Sequence, residues 1–98
     1  MQVIIESFGV NIHCDLETKI QRKLQLSLSR VEPYITAIVI KITSKKGFSD
    51  INTHCRLTLT IVNQGNIVIE DTQMDLECVI NRVLQKASRA IERLVFNT

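Results

Sequence analysis

The chain has 98 residues, of which 45% are hydrophobic and 22% are charged, and its formal net charge is +2. This length supplies one modest hydrophobic core, so we predict a single domain over residues 1–98. No apolar stretch approaches the roughly 20 residues that cross a bilayer, and the first residues lack the features of a signal peptide, so we predict a cytoplasmic protein without a membrane partner.

The first half of the chain predicts a strand, a helix and a second strand. Residues 2–7, QVIIES, are rich in β-branched side chains, and Val3, Ile5 and Ser7 fall on one face, which is typical of a strand. Asp15 is a plausible N-cap for a helix that runs to about Val31. Pro33 ends that helix, and residues 36–43 carry isoleucine at every second position, as a half-buried strand does.

The second half predicts two more strands and a helix. Residues 44–52 are a polar loop, and residues 53–62 alternate so that Cys55, Leu57, Leu59 and Ile61 face inward. A tight turn at 63–66 leads to a strand over 66–71. Thr72 and Asp75 then stand in the order of a capping box before the last helix.

The last helix, over residues 75–94, has an apolar stripe and a basic stripe. The apolar residues recur every three or four positions, as in a helix packed on a core: they are Leu76, Ile80, Val83, Ala87, Ile91 and Leu94. A line of cations follows the same period roughly 120° away around the helix. We therefore expect one face to be buried and the basic shoulder to be solvated.

The order β-α-β-β-β-α predicts an α+β fold of two layers. Three hairpin-type strands form an antiparallel meander, the first strand joins it at an edge or beside the second, and two helices cover one face. Cations line one shoulder of each helix, and in both helices they lie on the same side of the apolar stripe. If the helices are parallel and adjacent, one basic shoulder points into the groove between them and makes a basic trough, while the other points outward.

The sequence contains no recognisable catalytic signature, so we predict that the protein is not an enzyme and needs no cofactor. The dipeptide His-Cys occurs at His13-Cys14 and His54-Cys55. His54 and Cys55 point to opposite faces of a strand and cannot share an ion, so we expect no metal site. With Cys78 the cysteines are odd in number and lack CxxC spacing, which predicts free thiols, mostly buried.

Two local sequences resemble a known family. The stretch DLECVIN at 75–81 is similar to a pattern of Asp, Met, Tyr, two small residues, Ile and Asp that opens the last helix of ribosome hibernation-promoting factors and ribosome-associated inhibitor A proteins, also called sigma-54 modulation proteins. The opening MQVII and the residues VNI at 10–12, just before the first helix, also resemble this family. The resemblance covers the whole chain. Glu77 replaces the usual Tyr, Glu17 stands where many members have Arg, and Cys14 replaces a frequent Pro.

The resemblance implies a short, diverged hibernation factor that docks a basic helical face on small-subunit rRNA at the decoding region, blocks mRNA and tRNA, and keeps ribosomes inactive under stress. Lys23 and Lys86 occupy family-like basic positions. The expected RNA-binding residues lie on both helices, and DNA is not an expected partner: Lys19, Arg22, Lys23, Arg30, Arg82, Lys86, Arg89 and Arg93.

Two alternatives remain at this point. A diverged relative could be a protein-interaction module, homodimeric in one version, that pairs through a sheet edge or face. The same architecture also serves double-stranded RNA binders, but such proteins carry a basic loop at the start of the last helix, where this chain has Glu70, Asp71 and Asp75. The sequence sets no oligomeric state.

Overall fold

The computed structural model describes residues 2–10, 12–46 and 51–96, with the side chains of 45, 46 and 51 excepted. The elements in chain order are β1 (Gln2–Phe8), α1 (Cys14–Ser27), a 3-10 turn (Glu32–Tyr34), β2 (Ile35–Lys46), β3 (Ile51–Ile61), β4 (Gly65–Gln73) and α2 (Leu76–Phe96). The predicted β-α-β-β-β-α order and the α+β fold are confirmed.

The four strands form one sheet in the order β1-β2-β3-β4. The pairs β2–β3 and β3–β4 are antiparallel hairpins, whereas β1 runs parallel to β2 because α1 carries the chain back between them. The first strand therefore lies at an edge and beside the second, as predicted. The β3–β4 turn needs positive φ at Asn63 (63°) and Gly65 (+82°), which are residues that adopt this conformation at low cost.

The apolar rows of the sheet face the helices and form the core. In register, Ile5, Ile40, Leu57 and Ile69 form one row across the four strands, and Val3, Ile38, Leu59 and Ile67 form the next. The rows on β2 and β3 are fully buried, and they join the buried face of α2 and Ile20, Leu24 and Leu28 in one cluster. The aliphatic, one-sided pattern of the strands thus places both helices on the same face.

The helix boundaries correct several predictions. Helix α1 begins at Cys14 with His13 as N-cap and without a side-chain cap, and it ends at Ser27 rather than near Val31. Asp15 is therefore in the first turn, not at the cap. Thr72 lies within β4 and forms no capping box; Asp75 is the cap, because its Oδ2 accepts a hydrogen bond from the Cys78 amide at 3.3 Å.

Three further expectations change with the structure. Leu94, assigned to the buried stripe, is 41% exposed, whereas Ile91 is buried and Val95 packs against the core in its place. The cysteines are free, but Cys14 and Cys78 are exposed and only Cys55 is buried. Strands β2 and β3 extend into the predicted 44–52 loop, whose central residues 47–50, with Gly47, lie outside the described residues.

Candidate functional site

The two helices run side by side in the same direction. Lys23 of α1 contacts Glu77 and Asn81 near the start of α2, whereas Arg30, just beyond α1, contacts Glu92 near its end. Because the contacts advance in the same direction along both helices, the helices are parallel. The condition for the predicted groove is thus met, and the basic shoulder of α1 is the one that points into it.

The groove is not the purely basic trough that the sequence predicts. The polar shoulder of α2 faces it, so that Glu77 Oε1 lies 3.2 Å from Lys23 Nζ and 3.7 Å from Lys19 Nζ. The hydrogen bond from Lys23, with the positive charge of Lys19, lowers the pKa of the Glu77 carboxyl. Leu16, Ile20, Leu76 and Ile80 also line this cleft. The groove is therefore of mixed charge with an apolar floor.

The basic shoulder of α2 points away from α1, toward the open side of the helical layer. Arg82 Nε donates to Asp71 Oδ2 at 2.8 Å, and Lys86 Nζ lies 3.7 Å from the same oxygen. Asp71 is on β4 in register with Cys55, on the helix-covered face of the sheet. The hydrogen bond from Arg82 is the main reason that the pKa of Asp71 is lowered.

The eight predicted RNA-binding cations divide into two groups. Five lie within salt-bridge distance of a carboxylate, namely Lys19, Lys23, Arg30, Arg82 and Lys86. Within the part of the chain that the structure describes, Arg22, Arg89 and Arg93 form no such pair, and all three are exposed. Arg89 and Arg93 continue the line of Arg82 and Lys86 along α2, so these four cations share one solvent-facing edge.

The paired cations are not withdrawn from solvent. The side chain of Arg30 is 76% exposed and that of Arg82 is 53% exposed. The Arg30–Glu92 pair is open to solvent on both sides and contributes only about 0–1 kcal/mol, so a phosphate group can replace this carboxylate at small cost, whereas the Asp71 side chain that pairs with Arg82 is only 14% exposed. Lys23 differs, because it is 26% exposed and contacts both Glu77 and Asn81; it acts mainly as a tie between the helices.

An aromatic and cationic cluster at the end of α2 was not predicted. The rings of Phe96 and Tyr34 meet edge to face with centroids 6.0 Å apart, and the Arg30 guanidinium carbon lies 5.7 Å from the Phe96 centroid. A surface depression beside this ring is lined by Arg89, Glu92, Arg93 and Phe96. The spacing of Arg89, Arg93 and Phe96 along the helix was a readable signal, whereas the position of Tyr34 depends on the tertiary fold.

The helix-free face of the sheet has a different character. His54 Nδ1 lies 2.7 Å from Thr72 Oγ1 and its Nε2 lies 3.3 Å from Glu70 Oε1, while Arg56 also pairs with Glu70. Cys55 points into the core, where burial raises the pKa of its thiol to about 11. The predicted opposite orientation of His54 and Cys55 is confirmed. Among the described residues no group of three His, Cys, Asp or Glu side chains could hold a metal ion, and no described helix could span a membrane.

The fold and the helical surface define a class of protein, a small α+β module with its cations concentrated on one layer. Residues 5–95 match the family described as Sigma 54 modulation protein / S30EA ribosomal protein, so the chain belongs to that family of ribosome-associated proteins. The family membership predicted from the sequence is confirmed. A direct sequence comparison with curated proteins gives no match.

Two solved structures share the fold. A ribosomal subunit interface protein from Coxiella burnetii aligns with a TM-score of 0.79 and 15% identity, over 96% of this chain and 97% of that one. The N-terminal domain of Protein Y from Thermus thermophilus aligns with a TM-score of 0.70 and 14% identity, over 96% of this chain and 99% of that one. At these identities the similarity concerns the architecture of the chain.

Proposed function

We propose that the protein is a translation inhibitor that binds the small ribosomal subunit at the decoding region, through the basic edge of α2 and the cations of α1, and holds ribosomes inactive in the cytoplasm. One observation carries the proposal: Arg82, Lys86, Arg89 and Arg93 form a solvent-facing line in which the last two have no carboxylate partner among the described residues. Family membership supplies the ribosome as the polyanion.

The chemistry of the surface suits RNA phosphates better than a specific base sequence. Arginine offers a planar fork of donors that matches phosphate oxygens, and such contacts position a protein on RNA without reading sequence. A surface that spans both parallel helices is broad enough to meet a folded RNA by shape. Occupation of the decoding region by this surface would exclude mRNA and tRNA by direct overlap.

Salt dependence gives the first measurement. If about five phosphates are neutralised, the logarithm of the association constant falls by about four for each tenfold rise in salt, so that doubling the salt weakens binding roughly 15-fold. Sedimentation of the protein with purified ribosomes and with separated subunits over a salt series measures this slope. We expect the small subunit to retain the protein and added mRNA with tRNA to displace it.

A matched pair of variants locates the surface. Arg89→Gln with Arg93→Gln removes two positive charges from α2, and Lys41→Gln with Arg56→Gln removes two from the helix-free face of the sheet. We expect the first variant to lower the salt slope by about two and to weaken sedimentation with ribosomes, and the second to bind like the wild type. Binding that tolerates high salt and depends on the second pair would instead favour a protein-interaction module that uses the sheet face.

A further inference from the structure

We propose that the end of α2 contains a subsite for one unpaired nucleotide of RNA, in which Phe96 stacks on the base while Arg89 and Arg93 hold the adjoining phosphates. This subsite rests on the proposed function, because it specifies what part of an RNA the basic edge recognises. It concerns a part of the surface that phosphate contacts alone leave unexplained, namely an exposed aromatic ring between cations.

The exposure of Phe96 is the first observation. The last turn of a packed helix usually exposes polar residues, yet the Phe96 side chain is 47% exposed beside a depression lined by two arginines. The ring is partly buried against Tyr34, and its remaining surface is open to a ligand. Base stacking on such a ring is favourable with any base, since every base has an aromatic face.

The geometry of the helix is the second observation. Arg89, Arg93 and Phe96 are separated by four and three positions, so they lie on one face of α2 and their Cα atoms advance by about 6 and 4.5 Å along the axis. The two guanidinium groups can therefore contact successive phosphates of a single strand whose base reaches Phe96. A base paired inside a duplex cannot reach the ring, so the subsite selects splayed nucleotides.

The surroundings of the ring hold it in position and keep the site positive. Tyr34 packs edge to face against Phe96, and the Arg30 guanidinium lies over one face of the Phe96 ring, so the base stacks on the opposite face. Glu92, the one carboxylate among the described residues that line the depression, lies 3.5 Å from Arg30. Its charge is thus balanced by Arg30, and the charges of Arg89 and Arg93 remain for an anionic ligand.

A short single-stranded adenosine oligoribonucleotide and an RNA duplex are suitable probes. The chain has three phenylalanines, one tyrosine and no tryptophan, so its aromatic NMR signals can be resolved. We expect the single strand to shift the Phe96 and Tyr34 signals but not those of Phe8, which is 51% exposed and serves as an internal reference. The duplex should bind without moving the Phe96 signals.

Variants complete the test. Phe96→Leu should weaken binding of the single strand roughly tenfold, Phe8→Leu should leave it unchanged, and Phe96→Trp should restore it and report stacking by quenched fluorescence. Thermal melts confirm that each variant is folded. The subsite is overturned if the wild type does not bind the single strand, or if Phe96→Leu and Phe8→Leu bind it equally.

The ribosome arm separates this result from the proposed function. If Arg89→Gln with Arg93→Gln weakens sedimentation with ribosomes while Phe96→Leu has no effect on either RNA or ribosomes, the subsite is wrong and the proposed function stands. If the wild type fails to sediment with ribosomes, the proposed function is wrong, and the NMR titration alone decides whether Phe96 binds a nucleotide.

Discussion

If the basic edge of α2 binds RNA as proposed, Asp71 competes with RNA for two of its cations, and its replacement gives the sharpest prediction. Its Oδ2 accepts from Arg82 Nε at 2.8 Å and lies 3.7 Å from Lys86 Nζ, so one carboxylate engages two of the four cations on that edge. Asp71→Asn keeps the size of the side chain, and its carbonyl oxygen can still accept from the Thr72 amide, as Asp71 Oδ1 does at 2.9 Å. The substitution removes the negative charge and, with it, the Oδ2 acceptor of the Arg82 hydrogen bond.

The variant should lose stability and gain affinity. The Asp71 side chain is 14% exposed, but both of its cations are about half exposed, so each pair contributes about 0.2–1 kcal/mol and their loss predicts a free energy of unfolding lower by about 0.4–2 kcal/mol. In the variant an RNA phosphate no longer has to displace the carboxylate. The free energy lost from folding is therefore gained in ribosome binding, which should tighten by about 2-fold to 30-fold. The salt slope should steepen by up to about two, because two more cations release counterions on binding.

The stability loss has a defined pH dependence. Because the pKa of Asp71 is lowered in the folded protein below its ordinary value of 3.8, the carboxylate stabilises the fold above that value and loses this contribution as the pH falls through its folded pKa. The stability difference between wild type and variant should therefore be complete at neutral pH and should vanish in acid. Urea unfolding of both proteins at several pH values measures it.

Glu70→Gln is the matched control. Glu70 precedes Asp71 on β4, but it faces the helix-free side, where it pairs with His54 and Arg56. Glu70→Gln changes the net charge by the same amount as Asp71→Asn, and it should leave the salt slope of ribosome binding unchanged. If Asp71→Asn, shown to be folded, binds ribosomes no more tightly than Glu70→Gln, then Arg82 and Lys86 do not contact RNA and the reasoning fails.

Three further predictions test the fold. Leu57→Ala, at a fully buried site on β3, should lower the free energy of unfolding by about 2–5 kcal/mol, measured by urea unfolding. Asp75→Ala removes the cap of α2 and should cost about 1 kcal/mol by the same assay. A thiol reagent should modify Cys14 and Cys78 quickly and Cys55 only after unfolding; since the pKa of Cys55 is raised from 9.0 to about 11, stability should fall as the pH rises through that interval.

Each of these has its own comparison. Thr58→Ala, next to Leu57 but on the opposite face of β3, should change stability much less. Asp15→Ala should cost less than the change at Asp75, because Asp15 lies inside the first turn of α1; an equal cost would contradict the cap assignment. A denatured sample gives the total thiol count, and rapid modification of all three cysteines in the native protein would contradict the burial of Cys55.

The sequence by itself determined the elements, their order and the composition of the core. Alternation on residues 53–62 identified the inward residues of β3, and the period of the last helix identified most of its buried face, because these patterns follow directly from local backbone geometry. Family-like residues at 75–81 identified the family. Helix ends were less certain, since His13 and Asp75 cap their helices by local geometry that several nearby polar residues could have provided.

Only the tertiary structure decided the electrostatic character of the surface. The periodicity placed cations on a shoulder of each helix, but it could not show that Glu77 meets Lys23 across the groove, or that Asp71 on β4 meets Arg82 on α2. Such pairs join residues far apart in sequence or on different elements, and they depend on the direction and spacing of packed helices and strands. For the same reason, the proximity of Tyr34 to Phe96 could be seen only in the folded chain.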